Sequence, residues 1–367
     1  MTRPLREALI SPSAISGNVE ALRRLTPTTH AMVVVKADGY GHGALTVSRA
    51  ALAAGATWLG TADITEALEL RAGGIQAPIL AWIFGPTEDP SVAIQQGIDL
   101  GVSSIAQLEQ VAQAAAGAPA RVHLKIDTGL SRAGASMSQW PQLCEAAKGY
   151  QDSGAIEVIG IYTHLSGASR EADAAQGVEF DLAVDAAHAA GLTPEIRHVA
   201  ASSAAASSPG LAHDMIRLGI AAYGIPQVPA HEDIGLRPAM RLAGQVVLVK
   251  RVPAGRGVGY GHTYMTRSET TLALVPIGYA DGAPRQASNR GPVVIGGERY
   301  TVSGRISMDQ FSVDVGEATP REGDWAILFG DPSQGEPGVA EWADAAGTIG
   351  YDIVTGLGRR IVRVVGQ

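Results

Sequence analysis

Short apolar runs alternate with helical patterns from about residue 31 to residue 225. The first run, Ala31–Lys36 (AMVVVK), is rich in β-branched residues and reads as a strand. A helical pattern from about Ala44 to Ala54 follows, ended by Gly55. Trp58–Thr61 is the next strand candidate. Asp63 then caps a predicted helix, with Glu66 three residues on completing a capping-box pattern. Further strands are predicted at Ile79–Ile83, Asp99–Val102, Arg121–Ile126, Ile156–Tyr162, Glu195–His198 and Met215–Leu218, with helical segments between most of them. Eight strand–helix repeats are the number that a closed parallel barrel needs. A doubly wound open sheet accommodates the same rhythm.

The pattern changes after Pro226. Residues 226–238 (PQVPAHEDIGLRP), rich in proline and charge, read as a linker. Beyond them come β-rich runs at Leu242–Val252, Thr271–Pro276, Val293–Ile295, Tyr300–Ser303, Phe311–Val315 and Trp325–Phe329. Long helical patterns are scarce there, apart from about Val339–Ala346. Two domains are therefore expected, residues 8–232 and residues 233–367, the second mostly β.

Composition narrows the class. The net charge is −8 and no basic run of five residues occurs, which leaves nucleic-acid binding without electrostatic support. No stretch of about 18 apolar residues appears, so no membrane helix is expected. Cys144 is the only cysteine, which rules out an intrachain disulfide and fits a reducing compartment. The first residues, MTRPLREALISPSAIS, lack the long apolar core of a secretory signal, and a cytoplasmic location is expected. Among the nine histidines there is no H-E-x-x-H spacing, so no metal site is expected.

In a barrel, chemistry sits at the C-terminal ends of strands. The segment VVVKADGYGHG puts Lys36 at such an end. A lysine leaving a dry strand end has a destabilised ammonium form, and the neutral amine condenses with an aldehyde such as pyridoxal phosphate. A plain strand-terminal lysine before a glycine-rich turn fits the same spacing. There is no G-x-G-x-x-G segment and no P-loop, which removes the usual nucleotide signatures. On the fifth strand His123, Lys125 and Asp127 share one face, and Val122, Leu124 and Ile126 the other. That pattern turns polar groups toward the barrel interior.

VVVKADGYGHG closely resembles the cofactor-lysine motif of alanine racemases, usually VVKANAYGHG. Asp38 and Gly39 replace the common Asn-Ala. The resemblance recurs, in family order, in KIDTGLSRAG, GIYTHLS, HVAASSAA, MIRLGIAAYG, GVGYGHTY, GYADG, GRISMDQ and TIGYDIVTGLGRR. It implies an N-terminal (β/α)8 TIM-type barrel with a C-terminal mostly β domain, in agreement with the hydrophobic pattern. It also implies a racemase that interconverts L- and D-alanine by two-base proton exchange at Cα of a pyridoxal-phosphate imine, with D-alanine going to peptidoglycan. A racemase of the same fold preferring serine or a broader amino-acid range is the alternative.

The resemblance assigns roles residue by residue. Lys36 and Tyr260 are the two bases, with Tyr260 reaching the site of the partner subunit, so a homodimer with shared active sites is implied. A free tyrosine titrates near pH 10, so this role needs positive charge nearby. Arg217 matches the arginine facing the pyridine nitrogen. It keeps its proton, which weakens the ring as an electron sink and disfavours transamination. His164 links that arginine to the tyrosine. Tyr40, Ser202 and Tyr351 match the phosphate's hydroxyl donors, and Gly219 and Ile220 its backbone N–H donors. Arg132 and the N–H of Met308 match the groups that meet the substrate carboxylate. Lys125 matches a lysine often carbamylated in the family, a neutral amine having taken up carbon dioxide; pairing with Asp127 is its alternative state. Tyr279 and Tyr351 match gate residues of the access corridor, with Asp309 in support. Three departures stand out: Ala201 where the family commonly has asparagine, Ser307 where it often has cysteine, and LSGASREADAA after His164. A related decarboxylase would need a catalytic cysteine near the C-terminus, where this chain has none. A carrier barrel would lack the second domain.

Overall fold

Eight strands pair in parallel in the order β8-β7-β6-β5-β4-β3-β2-β9. They are β2 (His30–Val34), β3 (Trp58–Asp63), β4 (Ile79–Ile83), β5 (Ile98–Val102), β6 (Ala120–Lys125), β7 (Ile156–Tyr162), β8 (Ile196–His198) and β9 (Met215–Leu218). The computed structural model describes residues 3–202, 209–228, 231 and 234–366. At the seam between β8 and β9 the Arg217 N–H donates to the Ala200 carbonyl and the Asp214 N–H to Arg197, both at 3.1 Å. With the Ala201–Arg217 bridge these bonds nearly close the ring. The sequence-predicted barrel is thus the architecture observed, and the open-sheet alternative is not.

Strand alternation sorts the side chains. Val122, Leu124 and Ile126 are fully buried in the main core, beneath the surrounding helices. The interior holds a separate apolar cluster of Met32, Trp58, Leu80, Ile159, Ile196 and Met215. Toward β5 and β6 the interior turns polar, with Asp99 and His123 both buried. Gly160 makes room there, because a Cβ at that position would lie 2.4 Å from His123 Nδ1.

A second sheet includes β14 (Thr270–Val275), β15 (Pro292–Ile295), β16 (Glu298–Ser303), β17 (Phe311–Gly316) and β18 (Trp325–Phe329), while β12 (Gly257–Val258) and β13 (Tyr264–Met265) pair separately. Among the described residues it has nine strands, in the order β11-β14-β17-β16-β15-β18-β10-β1-β19. The run expected over Leu242–Val252 is two strands, β10 (Met240–Gln245) and β11 (Leu248–Val252). β1 (Arg6–Ile10) pairs antiparallel with β10 and parallel with β19 (Val362–Val365). Residues 8–10, expected in the barrel, therefore run in the other sheet, where Ala8 and Ile10 are completely buried. A five-residue strand paired some 230 positions away carries no local signature. Ser11 caps the helix Pro12–Leu25 that carries the chain across to the barrel. The expected boundary at residues 232–233 lies outside the described residues. The linker around it is held in place: the Asn18 side chain bonds Ala222 and Arg237 carbonyls and accepts from the Arg237 N–H.

Candidate active site

Lys36 follows β2 and opens a turn in which Ala37, Asp38, Gly39 and Tyr40 all have φ between 49° and 61°. Three of those four carry side chains in a region that L-residues avoid, so neighbours must hold the turn. Glu66 does so. Its carboxylate accepts the Ala37 N–H at 2.6 Å and the Ala62 N–H at 2.8 Å. The expected capping box is half formed: Asp63 accepts from the Glu66 N–H, whereas the Glu66 side chain serves the lysine turn. Asp38 accepts from the Ala44 N–H and caps the next helix. Gly41 lies so close to the second domain that a Cβ would sit 2.2 Å from the Val354 carbonyl oxygen.

Lys36 is half-buried, 5.8 Å from the centre of the Trp82 ring. Burial lowers its pKa, Arg132 lowers it further, and Glu66 acts in the opposite direction. The same neighbourhood acts on Lys125, which is 5.6 Å from the Tyr162 ring. Burial, Arg132 and Arg217 push Lys125 down to about 8, against a smaller opposing effect of Asp127. Asp127 itself is occupied by the N–H groups of Gly129 and Ser131.

Arg217, on β9, is buried among neutral acceptors. Nη1 donates to Nδ1 and the carbonyl of His198. Nη2 donates to the Thr163 and Val199 carbonyls and to His164 Nδ1 at 3.2 Å. Burial pushes its pKa down to about 10, so it remains a cation at neutral pH. Among the described residues it has no carboxylate partner, and its Nε takes none of these bonds. An arginine only donates, so His164 Nδ1 must carry the lone pair and Nε2 the proton. Burial, with Arg217 next, pushes His164 down to about 3 and keeps it neutral.

Beside this cluster lies a cradle of hydroxyls. Ser202 accepts from the Gly219 N–H at 2.9 Å. A Cβ on Gly219 would lie 3.5 Å from the Tyr40 hydroxyl, an ordinary contact distance, which places that hydroxyl beside the Gly219 backbone. The Tyr40 and Tyr351 rings lie 5.8 Å apart, and Ile220 opens the short helix Ile220–Tyr223. The sequence reading missed three supports. His231, fully buried, bonds the Ser202 carbonyl and accepts from the Gln227 N–H. Gln227 in turn accepts from the Tyr351 hydroxyl. His198 was passed over because a histidine at a strand end has no distinctive spacing.

The cradle fits pyridoxal phosphate: hydroxyl and N–H donors suit a phosphate, and a buried guanidinium with a spare N–H suits a pyridine nitrogen. Among the described residues no cluster suited to a metal ion occurs.

The remaining expected residues sit on the second domain. Tyr260, between two short strands, is 70% exposed, Met308 53% and Tyr279 44%. Tyr279 and Ala280 N–H groups donate to the Ser307 and Met308 carbonyls, which joins the last two sites. Asp309 is paired with Arg360, which also holds the buried Asp281. Tyr260 is not among the groups that act on Lys36, Lys125 or His164. The chain thus gathers Lys36, Lys125, Arg132, His164 and Arg217 and leaves Tyr260, Tyr279 and Met308 exposed on the second domain. The altered loop after His164 is anchored by its own helix: Asp173 accepts from the Gly167 N–H and Gln176 from the Ser166 N–H.

Comparison with known proteins gives a consistent result. The family model "Alanine racemase, N-terminal domain" matches residues 10–227, and "Alanine racemase, C-terminal domain" matches residues 239–365. An alanine racemase of Thermobifida fusca is 49% identical over 98% of this chain and 97% of its own. One from Mycolicibacterium smegmatis is 45% identical over 97% and 94%. The crystal structure of alanine racemase from Streptomyces lavendulae superposes with a TM-score of 0.97 at 45% identity, covering 100% of this chain and 98% of that one. The Streptomyces coelicolor enzyme gives 0.96 at 46%, covering 98% and 97%.

Proposed function

The chain belongs to the alanine racemase family of pyridoxal-phosphate-dependent isomerases, and from that premise we propose that it exchanges the α-proton of alanine between Lys36 and Tyr260 of the partner subunit. The observation that carries the reading is the buried Arg217, whose partners among the described residues are all neutral and which faces His164 together with Lys36, a lysine whose ammonium form is destabilised. Pyridoxal phosphate, when bound, supplies the electron sink that makes the α-proton of a linked amino acid acidic. Lys36 would hold it through the aldehyde carbon, Arg217 at the ring nitrogen, and Tyr40, Ser202, Gly219, Ile220 and Tyr351 at the phosphate.

The two bases work on opposite faces of Cα. Tyr260 takes the α-proton of L-alanine, and Lys36 returns a proton from the other face; D-alanine runs the reverse course. His164 donates its Nε2–H toward the phenolic oxygen and is itself fixed by Arg217, which supplies the positive charge a tyrosine base needs. Arg132 and the Met308 N–H hold the carboxylate. Lys125, as its carbamate, orients Arg132. Tyr279 and Tyr351, with Asp309 behind them, narrow the access path to a small side chain. The exposure of Tyr260, Tyr279 and Met308 supports a homodimer in which each second domain covers its partner's barrel. The product would serve peptidoglycan synthesis in the cytoplasm, and no described helix is long and apolar enough to cross a membrane.

The test pairs the visible absorbance of the cofactor-loaded protein with D-alanine formation from L-alanine, using serine and lysine as comparators. The expected result is a band that K36A abolishes, with alanine turned over much the fastest. Preference for another amino acid would replace the substrate, and absence of the band would remove the role of Lys36. Unchanged L-to-D turnover in Y260F would remove the two-base assignment.

A further inference from the structure

A hydrogen-bonded line crosses the barrel interior from Arg217 to the opposite strands. Arg217 Nη1 donates to His198 Nδ1 at 3.0 Å, His198 Nε2 meets His123 Nδ1 at 3.0 Å, and His123 Nε2 meets Asp99 Oδ2 at 3.2 Å. His123, His198 and Asp99 are at most 1% exposed. Asp99 also takes a forked pair of bonds from Arg121, at 2.8 and 3.2 Å. None of Asp99, His123 and Arg121 reaches the reacting groups.

The ends of the line leave no freedom in its protons. A guanidinium only donates, so His198 Nδ1 carries a lone pair. A neutral His198 then has its proton on Nε2 and donates to His123 Nδ1. His123 therefore carries its own proton on Nε2 and donates it to the carboxylate, which only accepts. Every N–H points from Arg217 toward Asp99. The surroundings fix the rings as well. Tyr162 stacks on His198 at 4.8 Å and 6° between planes, Trp58 meets His123 edge-on at 5.3 Å, and Gly160 leaves the gap in which the two histidines meet.

We infer that Asp99 is a positioning residue for Arg217, acting through His123 and His198 to fix their tautomers and so the direction in which the guanidinium is held. Its effect on catalysis rests on the reading that Arg217 faces the cofactor's ring nitrogen; the proton order of the line does not. The carboxylate is needed because an amide at position 99 would be turned by Arg121. The amide oxygen would go to the guanidinium of Arg121 and the NH2 group to His123 Nε2. His123 and His198 would then both carry their protons on Nδ1, and His198 would present a donor to a donor at Arg217.

That logic separates a positioning role from a merely structural one. D99N is expected to reverse both tautomers, whereas R121Q, which breaks the same ion pair, is expected to leave them alone. The double variant D99N/R121Q frees the amide oxygen for His123 and is expected to restore the original order. The readout is 15N NMR of the histidines in the full-length cofactor-free protein. In the loaded enzyme D99N should shift the visible band and lower kcat roughly tenfold with KM for alanine within about twofold, and the double variant should recover. Should D99N fail to fold, H123F cuts the line at similar volume and leaves Arg217 alone to set His198, whose proton is then expected to stay on Nε2; a His198 proton on Nδ1 in that variant would overturn the inference.

A wild-type His198 protonated at Nδ1, or tautomers unmoved by D99N, would overturn the inference. So would reversed tautomers with an unchanged band and kcat, or a double variant no better than D99N. A wild-type protein that takes up no pyridoxal phosphate would sink the proposed function instead, and the tautomer spectra would still decide the line.

Discussion

Lys125 sits where burial and two arginines act in the same direction, which lowers its pKa to about 8. The neutral amine, the form that takes up carbon dioxide, therefore grows as pH rises through that value. Intact mass under native conditions is expected to show one added carbon dioxide well above pH 8 and to lose it on acidification. A K125A variant should lack the adduct and turn over alanine more slowly, by about tenfold, because Arg132 loses its orienting partner. A bare amine at all pH values would return Lys125 to its alternative, a cation balanced by Asp127. The motifs containing Lys36, Lys125 and Arg217 were legible because each is a short run of adjacent residues. Glu66, His198, His231 and Asp99 were not. Each acts through at least one bond to a residue 19 or more positions away, and nothing in its local sequence marks that bond.

At the scale of elements, the turn Lys36–Tyr40 depends on its neighbours more than on its own residues. Gly41, at φ 78°, ends it against the Val354 carbonyl. Alanine there must strain the backbone and push two elements apart, since the obstacle is main chain. G41A is expected to cost about 3 kcal/mol by urea unfolding and to weaken cofactor retention through Tyr40 and Tyr351. G97A is the fitting control: φ is 61°, yet nothing lies within 4 Å of the added Cβ, so strain alone is measured. Equal losses in the two variants would refute the packing argument. The strands of the barrel were readable to within a residue or two, because each is a continuous apolar run between turn signals. β1 and β19 were missed because both are short and each is completed by the other.

For the whole molecule, two expectations concern assembly and acid stability. If each site combines Lys36 of one subunit with Tyr260 of the partner subunit, K36A and Y260F homodimers should both be nearly inactive. Mixed and reassociated, they should recover about a quarter of the wild-type activity, because half the dimers are mixed and each has one intact site. No recovery would mean that each subunit supplies both bases. The second expectation involves His42, buried where the barrel turn meets the second domain. Burial outweighs its bonds to the Tyr40 and Gly39 backbone and lowers its pKa from 6.5 to about 4. Below pH 6.5 the unfolded chain takes up a proton that the folded one refuses until about pH 4. The neutral ring's contribution is therefore complete above that window and lost as pH falls through it, at about 1.4 kcal/mol per pH unit. Urea midpoints between these limits should fall less steeply in H42N than in the wild type, and equal slopes would exclude the assignment.

The sequence by itself determined the barrel, the second β domain and the family, because strand periodicity and the motifs of the site are local and survive in one dimension. It also named the residues that carry the proposed chemistry. Only the tertiary structure decided how those residues are held. It showed Glu66 gripping a left-handed turn, β1 crossing into the other sheet, and a line of forced tautomers running from Arg217 to Asp99. It also left Tyr260 exposed on the second domain while Lys36 is half-buried in the barrel. These are relations among groups distant in sequence, fixed by packing and by the directionality of donors and acceptors, and no local pattern encodes them.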